Sequence, residues 1–233
     1  MNARTPNARR ERSRSRVYVS REERKEVTRK AITDGALTLL AERSFSALSL
    51  REVTRAAGIV PAAFYRHFDS MEALGLVLVD ESFRSLRETL RSARMNLLDP
   101  DRVIDSTMKI VTNSVTDQRV HWRFIARERS GGVAVLRYAI RTEIRLLTAE
   151  LATDLGRFPI VRDWSAEDLG VLANLFVNAM ILVAEALEDA ADIESVAEVT
   201  RTATKQLRMI VLGVAGWKPD SPRASLTGTD NKR

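Results

Sequence analysis

The run Ser49-Leu50-Arg51-Glu52-Val53-Thr54-Arg55-Ala56-Ala57-Gly58-Ile59-Val60-Pro61-Ala62-Ala63-Phe64-Tyr65-Arg66-His67-Phe68 constrains this chain more than any other stretch, because it spells two short helices joined by a glycine turn. Ser49 can accept from the backbone N–H of Glu52 while Glu52 reaches back to Ser49, the S-x-x-E spacing of a capping box. Leu50, Val53 and Ala57 then share one face. Gly58 can take the positive φ that closes the first helix. Pro61 is favoured in the first turn of the second, where its missing N–H costs nothing. Two such helices across a turn of about three residues make a helix-turn-helix. The second, with Tyr65, Arg66 and His67 beside Phe64 and Phe68, has the size that fits a major groove. A plain αα-hairpin with no nucleic-acid affinity carries the same punctuation.

Charge is distributed to match. The net charge is +6, yet residues 1–70 hold 15 Lys+Arg against 8 Asp+Glu, and residues 71–233 hold 22 against 23. The whole positive excess lies in the helix-turn-helix half. Arg4, Arg9, Arg10, Arg12, Arg14 and Arg16 against Glu11 alone make the first residues a basic arm, polar and too poor in apolar residues to fold by itself. Residues 1–19 are therefore expected to be a disordered arm able to neutralise phosphates, with a solvated tail as the plain alternative.

Helical periodicity runs through the remainder, and no strand alternation competes, so the expected fold class is all-α. A first helix is predicted over 20–43, opened by Ser20-Arg21-Glu22-Glu23. Its apolar stripe is Val27, Ala31, Ile32, Ala36, Leu37, Leu39 and Leu40, with Arg21, Arg24, Lys25 and Arg29 on wet faces. Phe45 and Leu48 complete a three-helix core. A long helix follows over about 70–96, stopped by Leu98-Asp99-Pro100, and further helices are expected at 101–116, 119–129, 133–156, 165–188 and 193–216. The expected organisation is a head at 20–69, a larger helical domain at 70–217 and a disordered tail at 218–233.

The helix expected at 165–188 is apolar nearly all round and must be buried on several sides. A membrane span is the alternative, but Asn174, Asn178 and Glu185 would be costly in lipid, so no membrane association is expected. The last helix offers Val196, Val199, Ala203, Leu207, Ile210 and Val214 on one side, and Thr202, Lys205 and Arg208 on the other.

Catalytic and metal constellations are thin. There is no cysteine, the two histidines His67 and His121 fall in different predicted domains, and no nucleophile-elbow, Walker or dinucleotide-binding motif is present. No cofactor, metal or enzymatic activity is expected. Ser130-Gly131-Gly132 reads as a helix ending rather than an anion-binding loop. Without cysteine or a secretory h-region, a cytoplasmic chain is the simplest expectation.

The run 48–68 resembles the TetR/AcrR family of bacterial transcriptional regulators, whose motif commonly ends as Phe64-Tyr65-Arg66-His67-Phe68 does, with Asp69-Ser70-Met71-Glu72-Ala73-Leu74 looking like the start of its fourth helix. Ala41-Glu42-Arg43-Ser44-Phe45, Val79-Asp80-Glu81-Ser82 and Arg127-Glu128-Arg129-Ser130-Gly131 further resemble the fatty-acid biosynthesis repressor (FabR-like) subgroup. The resemblance implies a homodimer built by the last two helices of each subunit, bound to a two-fold double-stranded DNA operator. It also implies phosphate contacts from Ser49, Tyr65 and His67, with Pro61 to His67 in the major groove and bases read by Val60, Ala62 and Ala63 at the start of the recognition helix. Here the chain departs from the wider family, which often has Ser/Thr, Lys and Gly near these positions. Apolar residues offer no bidentate hydrogen bonds, so Arg51, Arg55 or Arg66, or DNA shape, carries more of the burden.

The resemblance further implies a hydrophobic effector, a long-chain acyl-CoA or acyl-ACP, and control of lipid-synthesis genes. A pocket walled by Val103, Ile104, Met108, Val111, Phe124, Leu136, Ile140, Leu147, Leu172, Phe176 and Met180 could take an aliphatic chain, although apolar residues at this spacing equally make plain core. A multidrug-type regulator sensing another hydrophobic molecule is the alternative, and a helical acyl-thioester enzyme the remote one. Arg127 and Arg129 could pair with Asp80, Glu81 or Glu88 on the long helix, with ordinary surface solvation as the plain alternative.

Overall fold

The computed structural model describes residues 20–94 and 100–218, with side chains described outside 89–103. The basic arm, the tail beyond Lys218, the Leu98-Asp99 stop and the Val103 side chain lie outside the described residues. Nine α-helices and one 3-10 turn follow one another, with no strand among the described residues: α1 Arg21–Leu40, the turn Phe45–Ala47, α2 Leu50–Ala56, α3 Pro61–Phe64, α4 Met71–Arg94, α5 Pro100–Asp117, α6 Arg119–Glu128, α7 Ala134–Leu155, α8 Ala166–Asp189 and α9 Ile193–Gly216.

Local chemistry accounts for the starts. Ser20 caps α1 and Ser49 caps α2, each in a full capping box with a glutamate three residues on, and Asp192 and Ser195 do the same for α9. Ser165 caps α8 by accepting from the Asp168 N–H. Ser70 Oγ accepts from the Ala73 N–H at 3.1 Å and so starts α4. The α1 stripe behaves as its period demands at Ile32, Ala36, Leu37 and Leu40, all buried. Val27 is a correction: one turn above that core, it is 67% exposed, because α1 overhangs the head there.

Two apolar cores form. The first joins Ile32, Ala36, Leu40, Phe45, Val53 and Phe64 of the head to Leu74, Phe83, Phe124, Leu136 and Ile140, so the core of α1–α3 is continuous with that of α4, α6 and α7. The second holds Met108, Val111, Val183, Leu187, Ala203 and Leu207 between α5, α8 and α9.

Polar ties fix α6 between them. Arg127 Nη1 donates to the Leu40 carbonyl and Arg123 Nη1 to the Ala41 carbonyl, both at 3.2 Å, placing cations on the open C-terminal end of α1. On the other side Arg123 Nε meets Glu188 of α8 at 3.0 Å, and Arg129 meets Glu185 at 2.8 Å. The expected partners of Arg127 and Arg129 on α4 are therefore corrected: Asp80 pairs with Arg84 one turn along its own helix, and α6 turns its arginines to α1 and α8.

Within the protomer α8 is buried on one side only. Its inner face is buried at Leu172, Val183 and Leu187, but Val171, Leu175 and Leu182 are 51–63% exposed in the protomer. The helix is long and apolar enough to cross a membrane, with 22% of its most apolar window buried, and it carries Asn174, Asn178 and Glu185. On α9 the Val196, Val199, Ala203, Leu207 and Ile210 side packs onto the second core, leaving Met209 and Leu212 exposed.

Candidate nucleic-acid interface and effector cavity

The head is set by its turn. Gly58 sits at φ 67°, and the Gly58 N–H donates to the Arg55 carbonyl (3.1 Å) while the Ile59 N–H donates to the Thr54 carbonyl (2.9 Å). These are the two bonds of a Schellman motif, which closes α2 and turns the chain sharply. Val60 then caps α3 in extended conformation with Pro61 at its first position. The α-helical part of α3 is a single turn. A tighter i→i−3 turn continues it, from the His67 N–H to the Phe64 carbonyl (2.8 Å), and an α-type i→i−4 bond follows from the Phe68 N–H to the same oxygen (3.1 Å).

Burial separates the two sides of this segment. Phe64 and Phe68 are buried with their rings 5.5 Å apart, and they anchor the reader to the core. Val60, Pro61, Ala62, Tyr65 and Arg66 face solvent, with Ala63 and His67 half-buried. Tyr65 stands edge-on to Phe64 and is 60% exposed. Arg51 and Arg55 are exposed on α2 alongside.

Three polar residues are more committed than sequence suggested. The Ser49 hydroxyl donates to Glu52 Oε2 (2.7 Å) and the Ser49 N–H donates to the same oxygen (3.0 Å), so both of its donors serve the cap. The Ser49 hydroxyl, followed by the Arg43 guanidinium at 2.7 Å, holds the Glu52 carboxyl down at about 2. Arg29 is not on a wet face: it donates to the His67 carbonyl at 3.0 Å and lies 4.5 Å over the Phe68 ring. His67 is held below the ordinary histidine value, first by burial and then by Lys25, Arg29 and Arg66, so it presents a neutral imidazole at neutral pH.

Between the two cores lies a cavity of about 520 Å³, walled by α4 through α9 and by the 158–161 connection. Leu172, Phe176 and Met180 line it, as do Ile104, Val111 and Leu147. Met108, Phe124, Leu136 and Ile140 are instead buried in the two cores, off the cavity wall. Sequence reasoning passed over Phe83, Leu86, Trp122, Ile144, Leu151 and Phe158, all of which line it. No sequence signal marks them, since a helix face toward a cavity and one toward a core have the same period. Among so many apolar residues the ion pair Arg129–Glu185 stands in the wall, one residue beyond Glu128.

A helix-turn-helix head thus shares its core with a helical domain that carries an apolar cavity. Residues 32–76, from mid α1 to the start of α4, match the model of the bacterial regulatory proteins, tetR family.

The fold over about three quarters of the chain is also found among solved structures. A TetR-family transcriptional regulator from Agrobacterium tumefaciens aligns with TM-score 0.62 at 17% identity, over 78% of this chain and 98% of that one. The fatty acid degradation regulator FadR from Bacillus halodurans aligns with TM-score 0.61 at 14% identity, over 77% and 93%. AibR, solved with isovaleryl coenzyme A and operator DNA, aligns with TM-score 0.59 at 15% identity, over 77% and 97%.

Proposed function

We propose that this chain is a homodimeric repressor whose affinity for a two-fold DNA operator is set by a hydrophobic effector, a long-chain acyl thioester carried on coenzyme A or acyl carrier protein. The observation that carries the ligand-responsive part is the almost wholly apolar cavity of about 520 Å³, against which α4 runs directly behind the reading head. FadR acts in fatty acid degradation and AibR binds isovaleryl coenzyme A, and the FabR-like resemblance at Arg127-Glu128-Arg129-Ser130-Gly131 supports the same ligand class.

The dimer reading rests on α8 and α9. Val171, Leu175 and Leu182 recur at helical spacing on the exposed side of α8, and Met209 and Leu212 on that of α9. Two such helices from each subunit make a four-helix interface that buries them. In the operator complex each head enters one major groove, with Tyr65 and His67 toward phosphates, while Ser49 stays engaged in the α2 cap.

Mass spectrometry of ligand co-purified with the native protein tests the effector class. A long-chain acyl thioester supports the reading. An aromatic or cationic compound would instead make the chain a multidrug-type regulator.

A further inference from the structure

The outward tip of the reading head offers no hydrogen-bonding side chain over four consecutive positions. Val60, Pro61 and Ala62 are exposed, Val60 at 67%, and Ala63 is half-buried. Pro61 has no N–H, and the Ala63 N–H is spent on the Val60 carbonyl at 2.9 Å. The tip is also rigid in its aim. The Schellman turn at Gly58 fixes it from one side, and fully buried Phe64 fixes it from the other. The groups able to hold the DNA backbone or base edges lie around it, at Arg51, Arg55, Tyr65 and Arg66.

A major groove presents donors and acceptors at every base pair, and one apolar feature alone, the C5 methyl group of thymine. Guanine and adenine edges need donors and acceptors that this tip lacks. We propose that the tip reads thymine methyl groups, with Val60 making the sequence-specific apolar contact and the surrounding cations fixing register on phosphates. The inference rests on the reading of the chain as an operator-binding regulator. It adds the chemical feature of the operator on which discrimination depends. Loss of one methyl from such a contact lowers affinity by about three- to fivefold.

The test uses the full-length protein. Its preferred duplex is first selected from a random-sequence library, then resynthesised with deoxyuridine replacing each thymidine in turn, which removes only the methyl. Dissociation constants are read by fluorescence anisotropy at one salt concentration. At one or two positions per half-site the uridine duplex is expected to bind about three- to fivefold more weakly. Val60→Ala, at an exposed position outside the core, is expected to keep the wild-type melting temperature and to bring that ratio close to one at one of those positions.

Uridine substitution without effect at every thymidine overturns the inference, as does a Val60→Ala protein that retains the full thymine-to-uracil ratio. Either outcome leaves operator binding itself intact. A selection that enriches no sequence instead overturns the operator-binding reading, and this inference with it.

Discussion

Glu128 Oε1 accepts the backbone N–H of Phe45 at 2.8 Å across 83 positions of sequence, tying the end of α6 to the turn that precedes the helix-turn-helix. Both residues are buried, and the Phe45 N–H has no water to fall back on. Glu128→Ala is expected to cost about 1–3 kcal/mol of stability by leaving that donor unmatched, whereas Glu128→Gln, which keeps an acceptor, should retain most of it. Gly131 guards the same contact, since a Cβ there would land on Glu128 Oε2. Gly131→Ala should therefore destabilise in the same direction. Urea midpoints of the three variants check this.

Dimerisation is predicted to depend on the exposed faces of α8 and α9, not on their buried sides. Leu182 and Leu212 are 63% and 74% exposed in the protomer, whereas Val183 and Leu207 are 5% and 3% exposed. Leu182→Glu and Leu212→Glu are expected to give folded monomers by sedimentation, with thermal midpoints of the protomer changed little. Val183→Glu and Leu207→Glu should unfold the chain instead, because a charge enters the core without a partner.

The pair Arg129–Glu185 is predicted to matter for coupling more than for stability. Both side chains are about a third exposed, so the pair contributes at most about 1 kcal/mol. It nevertheless joins α6, which holds the head through Arg127 and Glu128, to the cavity wall on α8. Arg129→Glu should leave operator affinity within a few-fold yet reduce the change in that affinity caused by a long-chain acyl-CoA. Arg129→Glu combined with Glu185→Arg should restore it. The coupling factor measured from DNA titrations with and without ligand decides.

The head should also show a defined acid sensitivity. Glu52 lies at about 2 in the folded chain against an ordinary value of 4.5, so the unfolded chain binds its proton first as pH falls. Its contribution to stability is complete above pH 4.5 and is lost as pH falls from there through 2. Glu52→Gln and Ser49→Ala should flatten the stability profile in that window, read by circular dichroism of the helical signal.

Where residues act on their own neighbours, sequence was enough. The capping boxes at Ser20 and Ser49, the positive φ at Gly58 and the first-turn Pro61 are all set within about five residues of chain. What could not be read was which helix lies opposite which. Arg129 was expected on α4 and lies on Glu185 of α8, because spacing fixes a side chain's direction on its own helix and says nothing of the neighbour. The same limit hid the cavity: Leu136 and Leu172 have equivalent patterns, but the first is core and the second is wall. Val27 shows a third gap, since an apolar residue in register stays exposed where the helix runs past its partners.

The central claim is that one molecule couples a DNA-reading head to an apolar cavity. It is tested most directly by anisotropy titration of a library-selected operator duplex with full-length protein, at fixed salt, with and without palmitoyl-CoA. The account predicts enrichment of an inverted-repeat sequence and an affinity that palmitoyl-CoA changes by about five- to 150-fold, the usual range of allosteric coupling. Binding that depends on salt but not on sequence, or an operator affinity that palmitoyl-CoA leaves unchanged at saturation, would contradict it.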